Sequence, residues 1–309
     1  MSSVKTLVNL IKNDRKSILG AAMARLSRAG LLKWMPDKMY LKLRYYSLIH
    51  KKLDLKNPKT FNEKLQWMKL YNRKPEYTMM VDKYAVRDYI ADQIGAEYLI
   101  PLLGAWERVE DIDFDGLPEQ FVLKCNHDSA SVVICKDKTE FNREAAKNKL
   151  AYCLKRNLYW WGREWPYKNV KPRIIAEKYM VDESGTELRD YKVMCFNGEP
   201  KLIQYHQGRF AEEHTQDFYD PQWNRQEFTQ GLPLAETPEE KPVFLDEMLE
   251  LSRKLSAGIP HVRVDWYYVQ GQLYFGELTF FDASGFYEFE PAQWNEIVGS
   301  WITLPEKAK

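Results

Sequence analysis

The segment HVRVDWYYVQGQLYFGELTF, residues 261–280, constrains the fold more than any other stretch. Val, Tyr, Trp, Phe and Leu dominate it and a Gln-Gly-Gln turn divides it, which predicts the two strands of a β-hairpin. Alternation places Arg263, Asp265 and Tyr267 on one face of the first strand and Val264, Trp266 and Tyr268 on the other. In the second strand the same period puts Phe275, Glu277 and Thr279 on a common face. A turn centred on Gly271 sets Asp265 opposite Glu277 and Arg263 opposite Thr279, whereas a two-residue turn slips the ladder by one and separates the acids. Adjacent carboxylates repel unless a cation lies between them. A divalent ion of the Mg²⁺ type, sharing its coordination with phosphate and water, satisfies that requirement, and a neighbouring Arg suits charge developing on a phosphoryl group. An Arg–Asp/Glu ion pair on an exposed sheet satisfies it equally, so the hairpin alone leaves both readings open.

Three upstream stretches supply further charge. FVLKCNHDSASVVI ends an apolar strand on Lys124 and follows it with a small-residue loop containing Ser129, Ala130 and Ser131, whose backbone N–H groups can approach an anion. It is not a P-loop, because no Gly-Lys-Ser/Thr opens a helix there. VDKYAVRDY offers Lys83 as a second cation. RIIAEKYM closes a strand on Glu177, and after a polar loop LRDYKVMCF carries Asp190 and Lys192 on one face. Each of these reads alone as a surface lysine or a local ion pair.

The rest of the chain predicts a mixed α+β body. Its 309 residues, 45% hydrophobic, suffice for one large core or two moderate ones. The first 75 residues have apolar positions at helical spacing, in VKTLVNLIKND and MYLKLRYYSLI, and Thr60 caps the run FNEKLQWMKLY. DKYAVRDYIADQIG is a helix closed by Gly95, and residues 139–158 and 238–256 are helical. YLIPLLGAW, FVLKC, SVVICKD, RIIAEKYM, DYKVMCFNGEP and KLIQYHQGRF are strands, with a tight turn at Asn197-Gly198.

Charge is uneven: residues 1–60 hold fourteen Lys/Arg against three acids, in a chain whose total is only +1. That basic head suits an anionic surface such as a phospholipid face, or is a solvated helical face. The four cysteines are far apart, which argues against structural zinc and a disulfide framework. No window approaches the ~18 apolar residues of a membrane span, and a reducing cytoplasm is the expected compartment. In YWWGREWPYKN, the aromatics Tyr159, Trp160, Trp161, Trp165 and Tyr167 either stack on sugar rings or divide between core and surface. His127 and His206 read as hydrogen-bonded structural histidines. Asp111-Ile112-Asp113 matches a glycosyltransferase metal pattern but lies in an acidic connection.

The order of these signals is more specific than any one of them. Lys83, the strand Lys124 with its loop, the strand-terminal Glu177, Asp190-x-Lys192, and Arg263-x-Asp265 with Glu277 together resemble the ATP-grasp superfamily over residues 76–285. TFNEKLQWMKLY, DKYAVRDYI, FVLKCNH, REWPYKN, IIAEKYM, LRDYKVMCFNGEPK and FGELTF resemble its teichuronopeptide-biosynthesis, TupA-like branch. The resemblance implies two α+β lobes (residues 76–309, hinged near 177–190) clamping ATP, with residues 1–75 a helical, basic N-terminal extension. It implies that Lys83 and Lys124 hold the α- and β-phosphates, that the loop with Ser129 and Ser131 covers them, and that backbone at Glu177–Met180 meets adenine. Asp190 would meet ribose, Lys192 phosphate or substrate, Arg263 the transferring phosphoryl group, and Asp265 with Glu277 would bind Mg²⁺. The implied activity is an ADP-forming carboxylate–amine ligase working through an acyl phosphate in cell-surface or capsular polysaccharide synthesis. Its substrate would be a small molecule or saccharide, a uronic acid or an amino acid; nucleic acid is not an expected partner. The enzyme would be cytoplasmic, with the basic head at the inner face of the plasma membrane. A glycosyltransferase of the same pathway and a non-catalytic nucleotide-binding scaffold are the competing readings. The sequence departs from the family pattern at Ser129 and Ala130, where glycines are expected, and at Thr279, where Asn commonly follows the metal-binding Glu.

Overall fold

A computed structural model describes residues 20, 22–27, 29–129, 131–182, 188–208 and 214–307. Ala130, residues 1–19 of the basic head, 183–187 of the polar loop and the end of the KLIQYHQGRF strand lie outside the described residues. The architecture is α+β, with two antiparallel sheets. The smaller has the order β1-β4-β2-β3, from Leu102–Trp106 (β1), Phe121–Cys125 (β2), Val133–Cys135 (β3) and Ile174–Lys178 (β4). The larger has the order β7-β6-β5-β8-β9, from Asp190–Phe196 (β5), Glu199–Gln207 (β6), Thr215–Tyr219 (β7), His261–Val269 (β8) and Gln272–Thr279 (β9). β7 is an element the sequence pattern does not disclose.

Each sheet has its own core. Helix Arg143–Leu154 packs Ala146, Leu150 and Cys153 against Phe121, Leu123 and Ile174 of the smaller sheet. Its first residue follows Asn142, whose side chain accepts from the Ala145 N–H at 2.9 Å, so the helix starts later than the periodicity alone suggests. Helix Leu245–Ser256 lays Leu245, Met248, Leu249 and Leu255 on the larger sheet. The expected start at 238 is displaced because Pro238 and Pro242 cannot sit in a helix interior. Helices Asp37–Ile49 and Phe61–Tyr71 share the core of the larger sheet. The second begins with a capping box: Thr60 accepts from the Glu63 N–H at 3.2 Å, and Glu63 accepts from the Thr60 N–H at 3.1 Å.

The hairpin closes through a two-residue turn at Gln270 and Gly271, both left-handed with φ of 51° and 82°. From that turn the ladder pairs Val269 with Gln272 and continues to Trp266 with Phe275. Gly276 is then an extra residue, a β-bulge, and the ladder resumes with Asp265 opposite Glu277 and Arg263 opposite Thr279. The expected pairing of the acids therefore holds with the turn that should have broken it. Phe275 does not share the face of Glu277, as strict alternation requires; it lies on the core side, its ring centre 6.1 Å from that of Trp266. Without the bulge, Glu277 would fall opposite Val264 in the core.

The aromatic stretch 159–169 divides between core and surface, with Tyr159 buried and Trp161 exposed. Arg163 is fully buried, its guanidinium 4.5 Å from the Tyr40 ring centre and donating to the Leu32 carbonyl at 2.7 Å. Trp161 is covered on one side by the Arg44 guanidinium, 4.7 Å from its ring centre. These contacts fasten the helix Asp37–Ile49 to the body. Among the described residues no helix is long and apolar enough to cross a membrane. The four cysteines are buried free thiols.

Candidate active site

The cavity faces of the two sheets enclose about 570 Å³, lined by Lys83, Lys124 and Ser129 from the smaller lobe and Asp190, Lys192, Arg263, Asp265 and Glu277 from the larger. Eight residues singled out from sequence thus meet in one space. Lys83 reaches it because Asp82 turns the chain: its Oδ1 accepts from the Tyr84 N–H at 2.8 Å, so the helix starts only at Val86. Asn126, which sequence reasoning passed over, joins this turn to β2 and β4. Its amide donates to Asp82 at 2.7 Å and its oxygen accepts from the Arg173 N–H at 2.7 Å, while the Lys83 N–H donates to the Asn126 carbonyl at 3.1 Å. The only sequence signal was an Asn directly after a strand, in KCNH.

Every cation in the cavity has a carboxylate. Lys83 Nζ lies 2.9 Å from Glu277 Oε2 and also donates to the Asp128 carbonyl at 2.9 Å. Lys124 Nζ lies 2.6 Å from Glu177 Oε2. Lys192 Nζ lies 3.0 Å from Asp265 and 3.3 Å from Asp190. Arg263 grips Asp265 with two bonds of 2.7 Å, extends to Glu277 at 3.7 Å, and pairs through Nη1 with Asp282. Burial alone would raise the Glu277 carboxyl, but Lys83, Arg263 and Lys192 more than reverse this and hold it far below the usual carboxylate range. Asp282 is likewise lowered: burial opposes ionisation and Arg263 overrides it. Burial would lower the Lys83 amine, yet Glu277, Asp128 and Glu177 keep it above its ordinary value.

Asp282, which sequence reasoning did not single out, pairs with Arg263 from the loop that follows β9. Its loop is held in an unusual conformation, with Ala283, Ser284 and Gly285 all left-handed at φ of 45°, 54° and 65°. Three buried donors on one ridge of helix Phe61–Tyr71 fix it. Asn62 donates to the Tyr287 carbonyl at 2.7 Å, Gln66 to the Gly285 carbonyl at 2.9 Å, and Lys69 to the Ser284 and Gly162 carbonyls at 2.8 Å each. Burial holds the Lys69 amine down at about 7, with the Glu164 carboxylate pulling the other way.

Three of the residues expected at the nucleotide, Ser131, Glu177 and Met180, do not line the cavity. Ser131 is turned away from the cavity: its hydroxyl accepts from the Cys125 N–H at 2.7 Å and donates to Asp128, closing the loop on itself. The Glu177 side chain faces Lys124 and Arg87 at the cavity margin, and neither it nor Met180 lines the space. His206 lines the cavity, whereas His127 is structural, 3.0 Å from the Arg156 carbonyl. Asp111 pairs with exposed Arg108 at 2.5 Å, and Asp113 accepts from the Gly116 N–H at 3.0 Å; neither lines the cavity.

The donor set suits a hard divalent cation. Asp265 and Glu277 are oxygen ligands set side by side by the ladder, with the Thr279 hydroxyl 3.1 Å from Glu277 Oε1. Among the described residues no group of three His, Cys, Asp or Glu side chains forms a metal cluster. Two facing carboxylates are a donor set that a Mg²⁺ ion sharing its coordination with phosphate and water would fit.

Lys83, Lys124, Lys192, Arg263 and the facing acids Asp265 and Glu277 thus line one cavity between the two sheets. The TupA-like ATPgrasp family profile matches residues 63–303, and the chain belongs to that family. None of the curated proteins matches the chain in sequence. Among solved structures, the chain resembles a D-alanine–D-alanine ligase from Bacillus anthracis (20% identity, TM-score 0.37, covering 65% of this chain and 57% of that one). It also resembles a D-alanine–D-alanine ligase from Helicobacter pylori (15% identity, TM-score 0.38, covering 74% and 62%). The ATP-grasp ligase PsnB, complexed with minimal precursor, Mg and ADP, aligns at 10% identity and TM-score 0.40, covering 83% and 65%. The chain spans less than two thirds of the length of each of these structures.

Proposed function

We propose that this chain is an ATP- and Mg²⁺-dependent ligase joining a carboxylate to an amine. The observation that carries the reading is the convergence of Lys83, Lys124, Lys192 and Arg263 with the facing acids Asp265 and Glu277 on one cavity. Lys83 and Lys124 bind the phosphates, with the loop at Ser129 over them, and the backbone from Glu177 at the end of β4 to Met180 meets the base at the cavity margin. Asp190 contacts the ribose. Asp265 and Glu277 hold the metal, which when bound supplies charge neutralisation at the triphosphate. Lys192 and Arg263 orient the substrate carboxylate and stabilise charge on the γ-phosphoryl group. A carboxylate oxygen forms a bond to the γ-phosphorus as the bridging bond to the β-phosphate breaks and ADP leaves. The amine nitrogen then bonds to the carbonyl carbon, phosphate departs with the acyl oxygen, and the amine proton passes to solvent. Positioning and charge neutralisation do most of this work.

We place the reaction in the synthesis of a cell-surface or capsular polysaccharide, in the cytoplasm. The catalytic unit is the two sheets together with helices Asp37–Ile49 and Phe61–Tyr71, which share the larger sheet's core, so the expected boundary at 75 falls inside it; the basic surface ahead of these helices meets an anionic membrane. Exposed Leu31 and Trp34 beside Lys33 support that contact. The deciding experiment is ADP release with candidate acids and amines, with products scored by mass. Glu277→Gln is expected to lower ADP release at least a hundredfold while the protein stays folded; unchanged release removes the ligase reading.

A further inference from the structure

Among the described residues, the phrases TFNEKLQWMKLY and REWPYKN put no side chain on the cavity wall, yet they meet behind it. Lys69, from the first, is fully buried. Its Nζ donates to the Gly162 carbonyl at 2.8 Å, to the Ser284 carbonyl at 2.8 Å and to the Ser284 hydroxyl at 2.9 Å. It also stands 5.6 Å from the ring centre of Phe281 and 4.7 Å from that of Phe286, the residues on either side of the loop. Gly162 permits this approach, since a Cβ there would lie 2.5 Å from Ser284 Oγ. The Glu164 carboxylate, from the second phrase, faces the same ammonium.

The loop needs such a clamp. Ala283 and Ser284 are left-handed although both carry a Cβ, a conformation that persists only where the surroundings impose it. The carbonyls of Ser284, Gly285 and Tyr287 are taken by Lys69, Gln66 and Asn62, three donors that helical spacing sets on one ridge. At its cavity end the loop presents Asp282, which pairs with Arg263 Nη1 and accepts from Gln204 at 3.0 Å. The other groups that Arg263 touches, Asp265, Glu277 and Thr279, stand on β8 and β9 with the metal pair. Asp282 is thus the acid on Arg263 that belongs to neither strand.

Resting on the ligase reading above, we infer that Lys69 is a positioning residue for phosphoryl transfer: through the loop it sets Asp282, and Asp282 sets the Arg263 guanidinium against the γ-phosphoryl group. When Asp265 and Glu277 turn to a metal, Asp282 keeps the guanidinium in place. Helix Phe61–Tyr71 then serves the reaction without touching nucleotide or substrate.

The test is calorimetric binding to the full chain, with Mg²⁺ present, of ADP and of the β,γ-imido analogue of ATP. The ratio of the two affinities reads the γ-phosphoryl contact and needs no turnover. Wild type is expected to favour the analogue by about tenfold or more, as a hydrogen bond to a charged group allows. Lys69→Met and Asp282→Asn should each cut that preference by about threefold or more, with ADP affinity unchanged. Because the two residues act in series, the double variant should lose no more than Asp282→Asn alone. Met68→Ala, a buried truncation on the same helix but off the ridge, is the control: its melting temperature falls and its preference stays at the wild-type value. Ser284→Ala removes one of the three Lys69 acceptors; it should also lower the preference, and it stands in where Lys69→Met does not fold. An unchanged preference in Lys69→Met or its stand-in overturns the inference. So do an additive loss in the double variant, an equal loss in Met68→Ala, and a wild type that binds both nucleotides equally. If neither nucleotide binds wild type, the ligase reading itself falls, and the inference with it.

Discussion

Gly276 decides which way Glu277 faces, and a single methyl group tests that. A Cβ at position 276 would stand 3.0 Å from Tyr267 Cε2 and 3.1 Å from the Asp265 carbonyl oxygen. Both contacts are several tenths of an ångström too short. The second is with backbone of the residue that faces Glu277, so it cannot be relieved without shifting Asp265. Overpacking of this kind destabilises by about 1–3 kcal/mol, and the loss of chain entropy on Gly→Ala returns about 0.4–1 kcal/mol. Gly276→Ala should therefore be less stable by about 1–2 kcal/mol, a melting temperature lower by about 2–5 °C. The displaced Asp265 should raise the Mg²⁺ concentration for half-maximal ADP release about threefold to tenfold, a fraction of what a full 1 Å misplacement causes. Gly271 is the internal control. At φ +82° it lies in the turn of the same hairpin, but a Cβ there meets nothing within 4 Å. Gly271→Ala should lose about 1 kcal/mol through left-handed strain and keep the wild-type Mg²⁺ dependence. The readouts are a thermal melt and a Mg²⁺ titration. An unaltered Mg²⁺ dependence in Gly276→Ala, or an equal shift in Gly271→Ala, refutes the argument that the bulge sets the metal pair.

Two further outcomes are expected. Lys69 titrates near about 7 when folded, below its unfolded value of about 10.4, so between those pH values the unfolded chain binds more protons and stability rises with pH. Urea midpoints from pH 7 to 9.5 should climb more steeply for wild type than for Lys69→Met, and parallel curves would contradict this. Asn126→Ala leaves the buried Arg173 N–H and Asp82 without their 2.7 Å partners and frees the Lys83 turn. It should weaken ATP binding more than tenfold in calorimetry, beyond a stability loss of about 2–4 kcal/mol; unchanged ATP affinity would show that the turn is held by other contacts.

The residues that carry charge into the cavity were legible because a charged side chain within an apolar strand demands a partner. Lys124, Lys192, Arg263, Asp265 and Glu277 all stood out for that reason. What stayed hidden was whatever breaks a period. The bulge at Gly276 adds one residue to a strand of otherwise strict alternation, so the face of Phe275 was misjudged while that of Glu277 came out right. β7, Thr-Gln-Asp-Phe-Tyr, is too short and polar to register as a strand. Lys69 looked like one more cation on an amphipathic helix, and only the tertiary fold shows it buried beneath the 282–287 loop. Ser131 lies in the expected loop, but side-chain hydrogen bonds within a loop cannot be counted from its composition.

The ion pairs give the cavity a further property. On the proposed function a triphosphate would not enter a field of free lysines: Lys83 would leave Glu277, and Lys124 would leave Glu177. A divalent cation must in turn draw Glu277 from Lys83 and from Arg263. Each ligand alone exchanges one ion pair for another, so the cost of breaking the old pair offsets much of the gain from the new one. Bound together they are complementary, because the lysine that goes to phosphate releases the carboxylate that goes to metal. The two affinities are then linked by a coupling free energy, reciprocal by thermodynamic necessity. Of the facing acids, Glu277 is paired with Lys83, which the nucleotide would draw away, whereas Asp265 is held by Arg263 and Lys192. In this way the hairpin's charges remain paired in both states.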